Sequence, residues 1–259
     1  MKNKILLNSG TLHNYGLNRL FEFAKKAGYD GIELIIDNNS DTRQAHYIKR
    51  LECEIGIKVL SVHSAMEFVT CFGSDPKVRA KESIEIAKKI KAKIITIHPQ
   101  DHCDENFFAW VQKNYKKIID DAKPVRVVFE NHTSRRKVNQ EEFFELFPEY
   151  TFDTSHAATV NEDIVASYNK TNGRVKHIHF SDSDLARRKN HPELIADRHM
   201  IPGTGKLSLK EFLQTLKKTK YSGYIVTELL PETIGAGQSD AKVLANLKKA
   251  LKFIKDNMR

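Results

Sequence analysis

Long hydrophobic runs are absent from this chain of 259 residues. No stretch approaches the run of about eighteen apolar residues that a membrane-spanning helix requires, so we expect no such helix. The first ten residues, MKNKILLNSG, hold too short an apolar segment for a secretory signal peptide. The sequence therefore predicts neither an integral membrane protein nor an exported one.

Cysteine is also scarce. The three cysteines, Cys53, Cys71 and Cys103, are far apart and odd in number. They form no disulfide framework, which favours the reducing cytoplasm as the location of the protein. Linkers rich in proline, glycine or serine are missing too, and so are low-complexity tracts. We therefore expect one domain that covers residues 1–259.

Basic residues are in excess, with 42 Lys and Arg against 33 Asp and Glu, a net charge of +9 and a pI of about 9.3. This balance is typical of proteins with an anionic partner, such as nucleic acid or a phosphorylated substrate. Many of the lysines occur in pairs inside helical stretches, for example at 25–26 and 248–249. Such pairs usually coat a solvated helix face, and we favour that interpretation of the charge.

Short β-rich segments alternate with amphipathic helical segments along the chain. LNRLFEFAKKAG ends in a glycine that is typical of a helix end, and DPKVRAKESIEIAKKIKA begins with an Asp-Pro that is typical of a helix start. LSLKEFLQTLKKTK and SDAKVLANLKKALKFIKDNM carry apolar residues every three or four positions. The predicted strands cover residues 4–8, 31–36, 57–63, 93–98, 125–130, 150–153, 175–180 and 223–229.

This order of elements predicts an α/β protein with a parallel sheet covered by helices. Eight strands, each followed by a helix, fit a single closed (β/α)8 TIM barrel. An open, doubly wound sheet is the structural alternative. In the barrel, the active site is expected at the C-terminal ends of the strands.

Histidines and carboxylates occur near the ends of seven consecutive predicted strands. These residues are Glu33, His63, His98, Glu130, Asp153 with His156, His179 and Glu228. Any one of them is most simply a loop residue in contact with water, but the whole set predicts a metal site. A mixture of imidazole nitrogen and carboxylate oxygen suits zinc, manganese or iron better than calcium. Such a site would be catalytic, with coordination positions left for water or substrate.

The long segment after the seventh strand adds further candidates. Its DRH motif places Asp197 and His199 two residues apart, so an extended loop could direct both at one ion. The PGTGK that follows indicates a turn, since a phosphate-binding P-loop needs a longer glycine spacing. Two arginine pairs in the loops on this side suit the bidentate binding of phosphate. They are Arg135 with Arg136 and Arg187 with Arg188.

Taken together, these residues resemble the xylose isomerase-like TIM barrel superfamily over almost the whole chain. This superfamily contains sugar phosphate isomerases and epimerases, and also the endonuclease IV family (AP endonuclease family 2). The motifs that carry the resemblance are SVH, TIHP, FEN, FDTSH, HIHFSD, DRHMIPGTG and VTEL. In HIHFSD, the resemblance implies that His179 is a metal ligand, and His177, deeper on the same strand face, is expected to support it.

In the isomerase and epimerase branch, the resemblance implies one divalent ion held by Glu130, Asp153, His179 and Glu228. The two glutamates would remove and return a proton next to a carbonyl, while the ion polarises that carbonyl and stabilises the enediolate. His156 would help to hold the substrate. The resemblance therefore implies a small-molecule sugar or sugar-phosphate substrate.

In the endonuclease IV branch, the resemblance implies a cluster of up to three zinc ions that cuts DNA at abasic sites. Counterparts of all nine ligands occur: His63, His98, Glu130, Glu228, Asp153, His179, His156, Asp197 and His199. Two loops depart from that branch. SAMEFVTCFGSDP lacks a recognisable DNA-inserting wedge and holds the acidic Glu67, and NHTSRRKVNQ differs from the small glycine-bearing version.

We therefore favour a metal-dependent sugar or sugar-phosphate isomerase or epimerase with one to three zinc or manganese ions. The AP endonuclease is the alternative. A binding protein without activity on the same barrel is less favoured, because it would have little use for so many ligand-type residues.

Overall fold

Eight parallel strands close into a barrel in the computed structural model, which describes residues 3–100, 104, 106–131, 140–171 and 173–258. Around the barrel the strands follow the order of the chain, and the last strand pairs with the first. This closure confirms the (β/α)8 TIM barrel and excludes the open sheet. The barrel strands are β1 (Ile5–Asn8), β2 (Gly31–Ile35), β3 (Val59–His63), β4 (Ile94–Ile97), β5 (Arg126–Glu130), β6 (Tyr150–Asp153), β7 (Val175–Phe180) and β10 (Tyr224–Thr227).

Helices follow the barrel strands and cover them from outside. They are α1 (Leu17–Ala27), α2 (Ala45–Ile55), α3 (Pro76–Ile90), α4 (Phe107–Ala122), α5 (Gln140–Leu146), α6 (Thr154–Thr159), α7 (Ile164–Lys170), α8 (Leu209–Lys218), α9 (Pro231–Ile234) and α10 (Asp240–Asn257). As the sequence predicted, α1 ends at Gly28, whose φ of 91° suits glycine. The side chain of Asp75 accepts a hydrogen bond from the N–H of Lys77 at the start of α3. Among the helices of the described ranges, none has the length and apolarity needed to cross a bilayer.

Two apolar clusters stabilise the barrel. The large one packs the helices against the strands, and the small one consists of Leu6, Leu60 and Val226. Leu6 and Val226 are neighbours in the register of β1 and β10. Alternate residues of a strand face the same side, so Asn8 and Glu228 follow them on that face, nearer the C-terminal ends. The barrel is therefore apolar at one depth and polar at its mouth.

The long segment after β7 contains a hairpin that the sequence did not predict. Its strands are β8 (Arg187–Arg188) and β9 (His191–Ile195), which pair antiparallel to each other. Near the base of this segment, the backbone of Asp182 pairs with that of Met200. Asp197 and His199 thus lie between the hairpin and a fixed contact with the end of β7.

Candidate metal and active site

Histidine and carboxylate side chains meet around Glu130, the last residue of β5. Its Oε2 lies 3.1 Å from Nε2 of His63, at the end of β3. Its Oε1 lies 2.6 Å from Nδ1 of His179 on β7. The side chain of Glu130 is only 2% exposed. One buried carboxylate therefore connects residues from two other strands of the barrel.

Three ligand-type side chains converge beside Glu130. Ligand atoms of Glu130, Asp153, His179 and Glu228 all lie within 4.8 Å of one another. Nδ1 of His179 is 2.8 Å from Oε2 of Glu228 and 3.7 Å from Oδ2 of Asp153. Both oxygens are buried, and Oδ2 of Asp153 has no hydrogen-bond partner within the described ranges. Three crowded carboxylates and one imidazole form a donor set that fits a divalent cation, which would satisfy the unpartnered oxygen of Asp153.

Three more histidines are held in a consistent orientation at the mouth. Nδ1 of His63, His98 and His156 each lies 2.8 or 2.9 Å from a backbone carbonyl oxygen. An Nδ1–H that is donated to a carbonyl leaves Nε2 with its lone pair, as in metal-binding imidazoles. Ligand atoms of His98 and His156 lie within 4.8 Å of those of Glu130, and His63 forms a similar group with Glu130 and His179.

The segment after β7 brings both residues of the DRH motif to the cluster, and metal binding by them stays a prediction. Asp197 lies between two imidazoles, with Oδ1 3.2 Å from Nε2 of His199 and Oδ2 3.4 Å from Nε2 of His156. The hydroxyl of Ser155 donates to Oδ1 of Asp197 at 2.8 Å. His156 and His199 also form a ligand-type group with Asp153. The nine predicted metal ligands are therefore linked to one another at the barrel mouth: His63, His98, Glu130, Asp153, His156, His179, Asp197, His199 and Glu228.

Burial and charge act in opposite directions on the carboxylates of this cluster. Burial alone would raise the pKa of Glu130, but the charge of His179 and hydrogen bonds hold that pKa well below its usual range. Burial raises the pKa of Asp153, and the like charges of Glu228 and Glu130 raise it further against the opposing effect of nearby imidazoles. Charging all three carboxylates together therefore requires positive charge close by.

Protonated imidazoles provide that positive charge when no cation is present. Burial lowers the pKa of His199, but Asp197 and Asp153 more than offset this and raise the pKa to about 10. In the same way, Asp153 and Asp197 overcome burial and hold the pKa of His156 well above its usual value. A bound divalent cation would supply the same charge and take the place of these protons.

A second polar layer lies one pleat deeper, and the sequence analysis identified only His177 of it. Ser61, Thr96, Thr151 and His177 each precede a mouth residue by two positions, and all are fully buried. Oε2 of Glu33, on β2, lies 3.0 Å from Nε2 of His177. Glu33 belongs to the strand-end set for which the sequence predicts a metal site, and the structure places it beside His177, below the mouth. The sequence signal for this layer is a polar residue two positions before each mouth residue, inside an otherwise apolar strand.

The predicted phosphate-binding arginines are placed only in part. Arg187 Nη1 donates to the carbonyl of Glu193, and Arg188 Nε donates to the carbonyl of Ile195. These bonds brace the hairpin of β8 and β9, in which both arginines lie. Arg135 and Arg136 fall outside the described residues. Anion binding by either pair stays a prediction.

The carboxylate of Asp182 organises the PGTGK turn. It accepts hydrogen bonds from the backbone N–H groups of Ser183, Gly203 and Gly205 at 2.9 Å and of Leu207 at 3.1 Å. A Cβ on Gly205 would lie 2.4 Å from Oδ1 of Asp182, so only glycine fits there. This carboxylate therefore fixes the far end of the segment that carries Asp197 and His199.

Asp182→Ala is expected to destabilise the protein by about 3 kcal/mol, because four backbone donors lose a charged acceptor. For a chain of this size the melting temperature should fall by roughly 5 to 10 °C, which calorimetry can measure. Asp184→Ala is the matched control, since this partly exposed carboxylate bonds mainly to Ala186 and Arg198. Equal melting temperatures for the two variants would show that Asp182 does not organise the turn.

Comparison with known proteins agrees with this barrel. A family model described as "Xylose isomerase-like TIM barrel" matches residues 21–257. An uncharacterized protein of Mycobacterium leprae is 24% identical over 268 residues, which cover 89% of this chain and 90% of that protein.

Two relatives with named activities match only part of the chain. Inosose dehydratase of Lacticaseibacillus casei is 29% identical over 85 residues, or 30% of this chain and 28% of that enzyme. Fructoselysine 3-epimerase of Escherichia coli O157:H7 is 32% identical over 69 residues, or 27% of this chain and 22% of that enzyme.

Solved structures share the whole barrel. A D-tagatose 3-epimerase-like protein superposes with a TM-score of 0.71 at 18% identity, over 99% of this chain and 100% of the other. D-allulose 3-epimerase from Methylomonas sp., in complex with D-allulose, gives 0.70 at 16% identity, over 99% and 97%. At these identities the likeness shows the fold alone.

Proposed function

Because the chain belongs to the xylose isomerase-like TIM barrel family, we propose that it is a divalent-metal-dependent isomerase or epimerase of a sugar or sugar phosphate. The observation that carries this proposal is the group of Glu130, Asp153, His179 and Glu228, whose ligand atoms lie within 4.8 Å of one another. The relative named as fructoselysine 3-epimerase supports it, since its name describes epimerisation of a sugar derivative.

These four residues would hold the ion. When bound, zinc or manganese supplies a Lewis acid that polarises a substrate carbonyl and makes the neighbouring C–H more acidic. Glu130 and Glu228 both approach one imidazole atom, at 2.6 and 2.8 Å from Nδ1 of His179. Two carboxylates at one centre can serve as a pair of bases, of which one removes the proton and the other returns it.

The two glutamates differ in their access to water. The side chain of Glu228 is 20% exposed and that of Glu130 only 2%. A proton transferred to Glu228 would therefore exchange with solvent more readily than one transferred to Glu130. His156 would donate a hydrogen bond to a substrate oxygen. The hairpin arginines Arg187 and Arg188 would contact a phosphate if the substrate carries one.

A second candidate function is cleavage of DNA at abasic sites. The observation that favours it is that the ligand-type groups extend beyond one ion: His98 with Glu130 and His156, and Asp153 with His156 and His199. A cluster of several ions can activate hydroxide and neutralise a phosphodiester. Loop 64–76 carries Glu67, whose negative charge does not suit a contact with DNA phosphates, although the same loop exposes the ring of Phe68.

The two functions are separated by a pair of assays on the same manganese- or zinc-loaded protein. The isomerase or epimerase is expected to exchange a C–H next to a carbonyl with deuterated water in a panel of ketoses, aldoses and their phosphates. It should not cut a duplex that contains one abasic site. Cleavage that disappears in Glu130→Gln, together with no exchange in the panel, would establish the nuclease instead.

A further inference from the structure

A fully buried carboxylate lies directly beneath the proposed metal centre. Glu33, on β2, has 0% exposure, and so do His177 and His179. Its Oε1 lies 2.8 Å from Nε2 of His179, and its Oε2 lies 3.0 Å from Nε2 of His177. One carboxylate therefore spans two imidazoles, one oxygen to each. A buried carboxylate is costly unless it is paired, so this arrangement needs a reason beyond packing.

The carboxylate of Glu33 is fixed from several directions. The amide of Asn8 donates to Oε1 at 2.9 Å. On the other side, Nδ1 of His177 lies 3.4 Å from the hydroxyls of Thr96 and Thr151. A hydroxyl proton donated to Nδ1 leaves the His177 proton on Nε2, which faces Glu33. Glu33 is thereby held in position relative to β7 without an ion.

His179 is oriented opposite to the other mouth histidines. His63, His98 and His156 direct Nδ1 at carbonyl oxygens, whereas His179 directs Nδ1 at Glu130 and Glu228 and Nε2 at Glu33. In the protein without an ion, carboxylates lie next to both ring nitrogens of His179. A cation among Glu130, Asp153 and Glu228 would displace the proton on Nδ1, and Glu33 would retain the proton on Nε2.

We propose that Glu33 is a positioning residue that holds the proton of His179 on Nε2, so that Nδ1 is the ligand for the divalent ion. The inference rests on the proposed metal centre. In this role Glu33 acts through His179. It sets the tautomer and the ring orientation of a ligand, and its negative charge makes Nδ1 a stronger donor.

The test is metal affinity, measured without substrate. Cobalt(II) binding is followed by competition with a chromophoric chelator for wild type, Glu33→Gln, Glu33→Ala and Thr227→Val. Thr227 is an equally buried barrel residue whose hydroxyl bonds to Leu6 and Tyr29 instead. Glu33→Gln keeps an acceptor without charge and should lose about tenfold in affinity, and Glu33→Ala up to about 100-fold. Thr227→Val should bind as wild type does.

A second readout does not depend on whether the variants fold. In the zinc-loaded wild-type protein with 15N-labelled histidine, a long-range 1H–15N spectrum should place the proton of His179 on Nε2 and zinc on Nδ1. Zinc on Nε2, or unchanged cobalt affinity in folded Glu33 variants, would overturn the inference while leaving the metal centre intact. Wild-type protein that binds no divalent ion would overturn both.

Discussion

Glu130→Gln and Glu228→Gln are each expected to lower kcat for sugar interconversion by about a thousandfold or more, since each removes a proton-transferring base. Glutamine keeps the shape of the side chain and an oxygen that can bind metal, but it cannot accept the proton. The two variants should differ in whether they still exchange the substrate C–H proton with solvent. With one epimer as substrate, one of the two variants should still exchange the C–H proton with deuterated water although conversion to the other epimer is lost.

The control for this pair is Glu149→Gln. Glu149 lies next to Tyr150, at the start of β6 and so at the opposite end of the barrel, and it pairs with Arg126 at 3.3 Å. This variant should retain wild-type kcat. Metal content must be measured in every variant, so that loss of the base is separated from loss of the ion. Full interconversion by metal-loaded Glu130→Gln would exclude the proposed role of that glutamate.

The fold could be predicted from the sequence because its signals are local. Alternating β-rich and amphipathic segments gave the eight barrel strands to within a few residues, and parallel closure then places all their C-terminal ends at one mouth. For that reason, His63, Glu130 and His179 could be expected to meet although they are far apart in sequence. The hairpin of β8 and β9 was not predicted, because β8 has only two residues and so shows no alternation of apolar and polar residues.

The chemistry beneath the mouth could not be predicted in the same way. A single buried carboxylate such as Glu33 gives no periodic signal, and its partners, Asn8 and His177, come from other strands. The role of Asp182 could not be predicted either. One of its four backbone donors is the next residue, and the other three lie some twenty residues further along the chain. The orientation of each imidazole depends on contacts at the level of single atoms, which follow from the closed barrel rather than from residue spacing.

Removal of divalent ions is expected to abolish activity and to destabilise the protein. Without a cation, three carboxylates are crowded at one centre, and within the described ranges Oδ2 of Asp153 is buried without a hydrogen-bond partner. An ion present at 100 times its dissociation constant should stabilise the fold by about 2.7 kcal/mol. Chelation should then lower the melting temperature by roughly 5 to 10 °C, and manganese or zinc should restore both stability and turnover.

Asp153→Asn tests whether Asp153 is one of the metal ligands. The change in stability caused by this substitution should have opposite signs in the absence and in the presence of a divalent ion. Asparagine can still accept the N–H of His156 that Oδ1 of Asp153 accepts at 2.8 Å, so the start of α6 is preserved. In chelated protein the variant should be at least as stable as wild type, since one of three crowded negative charges is gone. In the presence of manganese it should be less stable, because a ligand is weakened. If the variant were less stable than wild type by the same amount in both conditions, Asp153 would be a structural residue and not a ligand.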